Sequence, residues 1–260
     1  LIKNLNPKGV PLNLKNTIFP FEYNNILSLE KIIKKHNIGI IKMEVKREEE
    51  PKNNFLKKVR KIADKNKIIL IFDECTSGFR QSFGGLHKFY KVIPDMAMYG
   101  KALGNGYAIT AVVGKRSIME NASTNFISST MWTERIGTSA AIECLNVMEK
   151  TKSWLKITET GKWLKNQWRA LAKLHNLKID VMGLDAIPNF IFNSHNHNAY
   201  KTLITQEFLK NNMLATNKIF ISVLHNKKNL QKYLDQLDKV FSTIKRVENG
   251  ENINNFLFSK

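Results

Sequence analysis

The sequence predicts an α/β domain followed by a smaller α+β domain within a chain of 260 residues. Three observations favour this fold class. The apolar run at 68–72 has the length and composition of a strand in a parallel sheet. A helical pattern separates it from an earlier apolar run, as in a βαβ unit. After residue 150, helices predominate and the strand-like runs no longer alternate with them regularly, which is typical of an α+β arrangement.

The first half of the chain alternates between helical and strand-like segments. Apolar residues recur at helical spacing in 27–36 and 55–65, and a strand-like run follows each of these helices. We expect the strand at 68–72 to be buried on both faces of the sheet because its residues are all apolar. In order, the predicted elements are helix 27–36, strand 38–45, helix 55–65, and strands 68–72, 95–99 and 107–113.

The second half is mainly helical. We divide the chain into a large domain at 1–150 and a small domain at 151–260, linked by a helix at about 152–174. In this half the predicted helices are 135–150, 152–174, 202–211 and 228–247, and the predicted strands are 177–182, 189–192 and 219–223.

The composition is strongly basic, with a formal net charge of +19. Clustered basic residues neutralise phosphates, so nucleic-acid binding is one interpretation. However, only seven of the 41 basic residues are arginine, the residue that forms bidentate contacts with bases, and the lysines are scattered along the chain. Lysine, asparagine and isoleucine are abundant together, as a genome-wide compositional bias produces. We therefore favour bias and expect no nucleic-acid partner.

The cysteine content and the short apolar runs bear on location. Cys75 and Cys144 are too few for a disulfide framework or a tetrahedral zinc site. This favours a reducing, cytoplasmic location and no bound metal. The apolar runs have strand length, so we expect no membrane-spanning segment.

Two acids follow the most apolar strand. In open α/β sheets the ligand crevice lies outside the carboxyl ends of the strands, which is where Asp73 and Glu74 are expected. A carboxylate there can meet a cationic ring nitrogen or a metal. The acids can equally cap the loop that follows, so this pair alone leaves both interpretations open.

A lysine in a glycine-rich segment is the second candidate. Lys101 follows the strand at 95–99 and precedes Gly104 and Gly106. A lysine that forms a Schiff base requires a partly desolvated amine, and flanking glycines let the backbone approach a bulky cofactor. In so lysine-rich a chain, however, a lysine beside a glycine is also expected by chance.

Together, these segments resemble the central signature of the class-III aminotransferases. The signature comprises Asp73-Glu74-Cys75-Thr76-Ser77-Gly78-Phe79-Arg80, then Pro94-Asp95, then Gly100-Lys101-Ala102-Leu103-Gly104-Asn105-Gly106. The ending Ser77 to Arg80 is similar to the group around glutamate-semialdehyde aminomutase. The resemblance implies a fold-type-I pyridoxal-phosphate transferase, with part of the αβα large domain, its mainly parallel sheet and a C-terminal α+β small domain.

The resemblance also implies roles for individual residues. Asp73 would pair with the pyridine nitrogen of pyridoxal 5'-phosphate, and Lys101 would hold the cofactor as a Schiff base and then move a proton. Cys75 would lie against one face of the ring, with Thr76 in the same cofactor site. Ser129 and Thr130 resemble the hydroxyl element that reaches the phosphate of the neighbouring subunit in a homodimer.

The chain departs from the family pattern in three places. Val45 replaces a proline that usually follows Glu44, and Trp132-Thr133-Glu134-Arg135 replaces a Ser-Gly-Asn-Pro run. This bulky loop suggests a different substrate or simply a helix-capping ion pair. Nothing between 1 and 67 resembles the family's phosphate-cradling helix start or its ring-stacking aromatic. We therefore interpret the chain as an N-terminally truncated fragment.

The implied activity is amino-group transfer between an amino donor and a carbonyl acceptor, or within one molecule as in an aminomutase. The alternative is a non-catalytic fragment or scaffold subunit that keeps the fold and the dimer surface.

Two further patterns resemble functional motifs but are not interpreted as sites. Gly137-Thr138-Ser139-Ala140 resembles a phosphate cup but is expected inside a helix. His195-Asn196-His197 is expected in a solvated loop, because it has no acidic or cysteine companion nearby.

Overall fold

The computed structural model of the chain describes residues 8–14, 16–128 and 133–258. Its larger sheet has four strands in the order β1-β2-β3-β4. The pairs β1-β2 and β2-β3 are parallel, and β4 is antiparallel to β3. The strands are β1 Ile40–Glu44, β2 Ile69–Asp73, β3 Met96–Tyr99 and β4 Ala111–Gly114. The predicted mainly parallel sheet is thus confirmed.

One face of this sheet is covered by helices. Helices α1 (Ile26–Lys35) and α2 (Phe55–Lys65) contribute to the core that packs on it. In β1 and β2 every second residue points into this core, and Leu70 and Phe72 of β2 are fully buried. The strand period of two therefore sends the alternate residues to the opposite face.

That opposite face of the sheet is open among the described residues. Ile69, Ile71 and Asp73 of β2 are only partly buried, and Ile40 at the start of β1 is 56% exposed. The prediction that β2 is buried on both faces is therefore wrong for this structure. Its apolar composition is typical of a strand covered on both faces, but no described element packs over this side of the sheet.

The rest of the chain is built around long helices. The antiparallel strands β5 and β6 form a second sheet. Its core is supplied mainly by α5, α6, α7 and β6, with Trp168, Phe190 and Phe241 completely buried. These elements are α3 Arg116–Met119, α4 Ile136–Thr151, α5 Ser153–Leu174, β5 Ile179–Leu184, β6 Ile187–Phe192, α6 His197–Lys210 and α7 Lys227–Glu248. None of the helices in the described ranges has the length and apolar character to cross a bilayer.

The predicted strand at 219–223 does not form. The segment runs beside β6 with a single bridge, Asn189 to Lys218, and with the amide of Ile219 donating to the carbonyl of Pro188 at 3.1 Å. Pro188 lacks an N–H group and cannot return a hydrogen bond, so a regular ladder is interrupted at this point.

Several contacts join the two sheets. Leu184 and Ile187, at the β5-β6 turn, belong to the same buried cluster as Leu70 and Phe72. The amide of Asp185 donates to Gln81 Oε1 at 2.7 Å, and Lys218 Nζ lies 2.6 Å from Glu48 Oε1. The loop after β1 and the loop after β2 are thereby fixed against the helical part of the chain.

Candidate active site

Asp73 occupies the carboxyl end of β2, on the open face of the sheet. Its neighbours in register are Glu44 on β1 and Met98 on β3. Its Oδ1 accepts a hydrogen bond from the amide of Cys75 at 3.1 Å, and its Oδ2 lies 3.0 Å from Lys42 Nζ. Burial disfavours the charge, but the bonds from Lys42 and Cys75 outweigh burial and hold the pKa of Asp73 below its ordinary value. Asp73 is therefore a charged carboxylate at neutral pH.

Glu74 points into the protein and organises the loop that follows β2. It is fully buried, and its Oε1 accepts from the amide of His87 at 2.9 Å and lies 2.9 Å from His87 Nδ1. The hydroxyl of Ser77 contacts the other carboxylate oxygen. Because each oxygen has a partner, the buried carboxylate is satisfied and fixes the loop in place.

Lys101 reaches this loop from the end of β3. Its Nζ donates to Thr76 Oγ1 at 2.7 Å. Its backbone has φ of 46°, a left-handed conformation that costs free energy in a residue other than glycine. The segment is held by buried Leu103 and by Gly104, where a Cβ atom would lie 2.3 Å from the carbonyl oxygen of Tyr107. This tight turn aims the lysine at the loop after β2.

Cys75 lies between the acid and the lysine. A Cβ atom built on Gly100 would be 3.6 Å from Cys75 Sγ, so the glycine before Lys101 packs beside the thiol. Burial, followed by the negative charge of Asp73, raises the pKa of this thiol, while Lys101 and Lys42 oppose the shift. The thiol is thus neutral at physiological pH.

The structure brings together four of the six residues that the sequence indicated. Asp73 ends β2, Cys75 and Thr76 lie on the loop that follows it, and Lys101 is bonded to Thr76. The other two, Ser129 and Thr130, lie outside the described residues. The observed arrangement offers a carboxylate fixed in its charged form and an amine held by a hydroxyl, at the open end of a parallel sheet.

A large cavity adjoins this loop. It has a volume of about 1270 Å³ and lies between the segment 104–107, helix α4 and the segment 220–224. Arg80 forms part of its wall, with Nε donating to the carbonyl of Thr76 at 2.8 Å and the guanidinium 5.2 Å from the centre of the Phe220 ring. Thr76 therefore contacts Lys101 through its side chain and Arg80 through its backbone.

Two site features were missed by the sequence reasoning. Lys42 contacts Asp73, and strand alternation could have revealed it, since Lys42 and Glu44 share the open face. The stacking of Arg80 on Phe220 joins residues far apart in the chain and has no local signal.

The remaining motifs lie in or beside helices. Gly137 to Ala140 lie inside α4, as predicted, so they form no phosphate cup. Glu134 caps this helix, accepting from the amide of Gly137 at 3.1 Å, which supports the capping interpretation of the loop. His197 begins α6 and does not lie in a loop; its Nδ1 accepts from the amide of Phe192 at 3.2 Å. No group of three or more metal-ligating side chains occurs within the described ranges.

The sequence pattern of one family, described as aminotransferase class-III, matches residues 49–241. The chain belongs to the class-III aminotransferases. This match covers the strand-end acids, the lysine segment and most of the helical half, so the resemblance drawn from the short motifs is confirmed.

Curated relatives and solved structures agree with this membership. The chain is 30% identical over 227 residues to a 3-aminobutyryl-CoA aminotransferase from Cloacimonas acidaminovorans, covering 84% of this chain and 54% of that relative. It is 28% identical over 270 residues to a glutamate-1-semialdehyde 2,1-aminomutase from Wigglesworthia glossinidia brevipalpis, covering 91% and 60%. The chain thus spans somewhat more than half the length of these relatives.

The fold is shared with solved structures of other proteins. The FumI protein of Sphingopyxis sp. MTA144 superposes with a TM-score of 0.82 at 22% identity, covering 91% of this chain and 60% of that one. An omega-transaminase from Sphaerobacter thermophilus gives a TM-score of 0.83 at 17% identity, covering 92% and 60%. These likenesses confirm the fold-type-I architecture that the resemblance implied.

Proposed function

We propose that the protein transfers an amino group with the help of pyridoxal 5'-phosphate. One observation carries the proposal: Lys101 Nζ is bonded to Thr76 Oγ1 at 2.7 Å. Thr76 follows by three residues the carboxylate of Asp73, which is held in its charged form. The names of the relatives support two versions of the reaction. In one, the group passes from an amino donor to a carbonyl acceptor; in the other, it moves within one molecule, as an aminomutase does.

The residues present fit the cofactor. Asp73 already accepts a bond from a cationic nitrogen, that of Lys42, and a protonated ring nitrogen presents the same kind of charge. When bound, pyridoxal phosphate supplies an electron sink for the electron pair released at the Cα of the amino donor. Asp73 would keep the proton on the ring nitrogen, since its own pKa is too low for it to take that proton at neutral pH.

Lys101 would supply the amine that holds the cofactor and, once freed, would move a proton at the donor's Cα. Thr76 orients this amine with its hydroxyl, and the Arg80 bond to the Thr76 carbonyl fixes the threonine from the other side. Cys75, with its neutral thiol beside Gly100, would pack against the ring as a small polarisable side chain. Ser129 and Thr130 are proposed to bind the phosphate of the neighbouring subunit.

The proposal extends to assembly, location and domain structure. We propose a homodimer with sites at the interface, in the cytoplasm, where a reducing environment suits the free thiols of Cys75 and Cys144. We also propose the domain division at residue 150, with α5 as the link. The change from a parallel sheet with helices to long helices around a two-stranded sheet supports this division.

The experiment is a chemical map of the cofactor lysine. The full natural chain that contains these residues is incubated with pyridoxal phosphate, reduced with borohydride, digested and analysed by mass spectrometry. We expect the phosphopyridoxyl mass on Lys101. Lys101→Ala should lose the label and amino transfer together. Lys57→Ala, on the exposed side of α2, is the matched control and should retain both. A label that persists on another lysine in Lys101→Ala would refute the assignment. A label on Lys101 without amino transfer would favour the non-catalytic scaffold.

A further inference from the structure

The protein itself supplies Asp73 with an ion-pair partner, Lys42. It lies on β1 in register with Ile71, so it emerges from the same open face of the sheet as Asp73. Its Nζ lies 3.0 Å from Asp73 Oδ2. The lysine side chain is 52% exposed and the aspartate side chain 25% exposed, so solvent can reach the pair and the ammonium can move away.

A second carboxylate stands beside the first. Glu44 follows Lys42 by two residues on the same strand face and is directly in register with Asp73. Its Oε1 lies 3.2 Å from Arg47 Nη1, whereas its Oε2 is shielded from solvent and has no hydrogen-bond partner among the described residues. An unsatisfied carboxylate oxygen is costly, so Glu44 offers the Lys42 ammonium a second place to bind.

We propose that Lys42 is the resting counter-ion of Asp73 and competes with the ring nitrogen of the cofactor, moving to Glu44 when the cofactor is bound. The inference rests on the proposed function. A second cation stabilises a carboxylate that is already neutralised by an ammonium less than it stabilises a free carboxylate. Lys42 therefore weakens the contribution of the Asp73-to-ring-nitrogen contact to cofactor affinity, and Glu44 limits this loss.

The test compares two ligands so that general changes of charge cancel. Pyridoxal phosphate has the ring nitrogen, and its 1-deaza analogue has carbon at that position; both carry the same phosphate and aldehyde. Apparent affinities for the full natural chain are measured by absorbance titration. The readout is the preference for pyridoxal phosphate over the deaza analogue, which reports the contact of the ring nitrogen alone.

In Lys42→Met this preference is expected to rise by about threefold, the effect of removing a half-exposed ion pair. Lys42→Gln should give the same direction and serves if the methionine variant folds poorly. Lys42→Arg keeps the cation and should restore the original preference. Lys57→Met removes an exposed lysine from α2 and should change nothing.

Glu44→Gln tests the second half of the proposal. It should lower the preference, because Lys42 then has no charged alternative to Asp73. This effect should become much smaller in the Lys42→Met background, where there is no ammonium to relocate. Equal effects of Glu44→Gln in both backgrounds would refute the move to Glu44.

The two proposals fail in different ways. An unchanged or lower preference in Lys42→Met, with the borohydride label still on Lys101, would overturn the counter-ion role and leave the proposed function standing. Absence of the label from Lys101 in the unmodified protein would overturn the proposed function, and the role of Lys42 with it.

Discussion

Asp73 and Glu74 are adjacent in the chain, yet their carboxylates point to opposite sides of the sheet. The alternation of a strand sends Asp73 to the open face, where it meets Lys42, and Glu74 to the interior, where His87 and Ser77 bind it. One acid is thus available to a ligand, and the other fixes the loop that carries Thr76. At the scale of single residues, the site depends on this division.

Replacing Asp73 by asparagine should separate cofactor binding from chemistry. Asp73→Asn in the full-length protein should retain part of its cofactor affinity. Because an amide cannot stabilise a protonated ring nitrogen, its rate of amino transfer should fall by about 100-fold, which corresponds to ~3 kcal/mol. Single-turnover rates measured at saturating cofactor give the comparison. Asp180→Asn, an exposed position on β5, should match the unmodified protein. A normal rate in Asp73→Asn would exclude the assigned role.

Asp95 connects two strands of the larger sheet, β2 and β4, with helix α2. Its Oδ2 accepts from the amide of Leu70 at 2.8 Å and from Arg60 Nη1 of α2 at 2.8 Å, while Lys115 Nζ, just after β4, lies 2.6 Å from Oδ1. Burial of the carboxylate opposes ionisation, but these bonds outweigh it, so the pKa of Asp95 lies below its ordinary value. The carboxylate therefore stabilises β2, α2 and β4 together.

Because that pKa is lowered on folding, the stabilisation is present above the ordinary aspartate pKa and is lost as pH falls through the lowered value. Asp95→Asn should reduce the free energy of unfolding by about 2 kcal/mol at neutral pH, the scale of hydrogen bonds to a charged group. Urea unfolding from neutral to acidic pH should show this difference shrinking as the wild-type carboxyl becomes protonated. A difference that is constant with pH would contradict the role of the charge.

Gly161 determines how closely α5 approaches the turn between β5 and β6. A Cβ atom at this position would lie 1.6 Å from the carbonyl oxygen of Asp185, which is backbone and cannot easily move. Gly161→Ala should therefore destabilise the protein by about 3 kcal/mol by overpacking, although alanine is ordinarily the better helix residue. Gly39→Ala, where a Cβ atom meets nothing within 4 Å, is the control and should leave the thermal midpoint nearly unchanged. Similar midpoints for both variants would show that the turn can shift.

The sequence predicted the elements best where local periodicity decides the structure. Helix α2 has the predicted bounds, and no end of α5 or α7 differs from its predicted position by more than one residue. These helices were predictable because their apolar residues recur at helical spacing. The segment 219–223 failed for a reason that lies elsewhere, in the missing N–H group of Pro188. Likewise, α6 begins at His197, five residues earlier than predicted, because buried Tyr200 extends its packed face into a polar stretch.

The candidate site likewise has features that the sequence predicted and features that it could not predict. Asp73, Cys75, Thr76 and Lys101 could be found because the order of strand ends along the chain brings them to one edge of the sheet. The side-chain bond from Lys101 to Thr76 and the stacking of Arg80 on Phe220 depend on tertiary packing, which no local pattern contains.

At the scale of the whole molecule, the proposed homodimer makes a further prediction. Thr130 is proposed to serve the phosphate of the neighbouring subunit, so the full natural chain should be dimeric at working concentrations and Thr130→Val should weaken cofactor binding. Light scattering and cofactor titration give the two measurements. Thr133→Val, three residues later in the chain and exposed, is the matched control. A monomer that is fully active in solution would contradict the shared site.

The open face of the larger sheet leads to the last prediction, which concerns residues 1–260 purified by themselves. Lys42, Asp73 and Lys101 lie on or beside a surface that includes exposed Ile40 and Val112, so water reaches the groups proposed to act on the cofactor. Fixed charges stabilise a developing charge best in a site that excludes water, and here one wall is open among the described residues.

This polypeptide should therefore capture pyridoxal phosphate only weakly and transfer no amino group from a panel of donors to keto acceptors. Its exposed apolar face should also make it associate, with an apparent mass that grows with concentration. Ile40→Lys, which places a charge on that face, should reduce the association without restoring activity. Lys31→Asn, at an exposed position of α1, serves as the control for altered surface charge. Robust turnover by residues 1–260 would show that the described face is a complete active site, with a phosphate-binding element that the present assignment lacks.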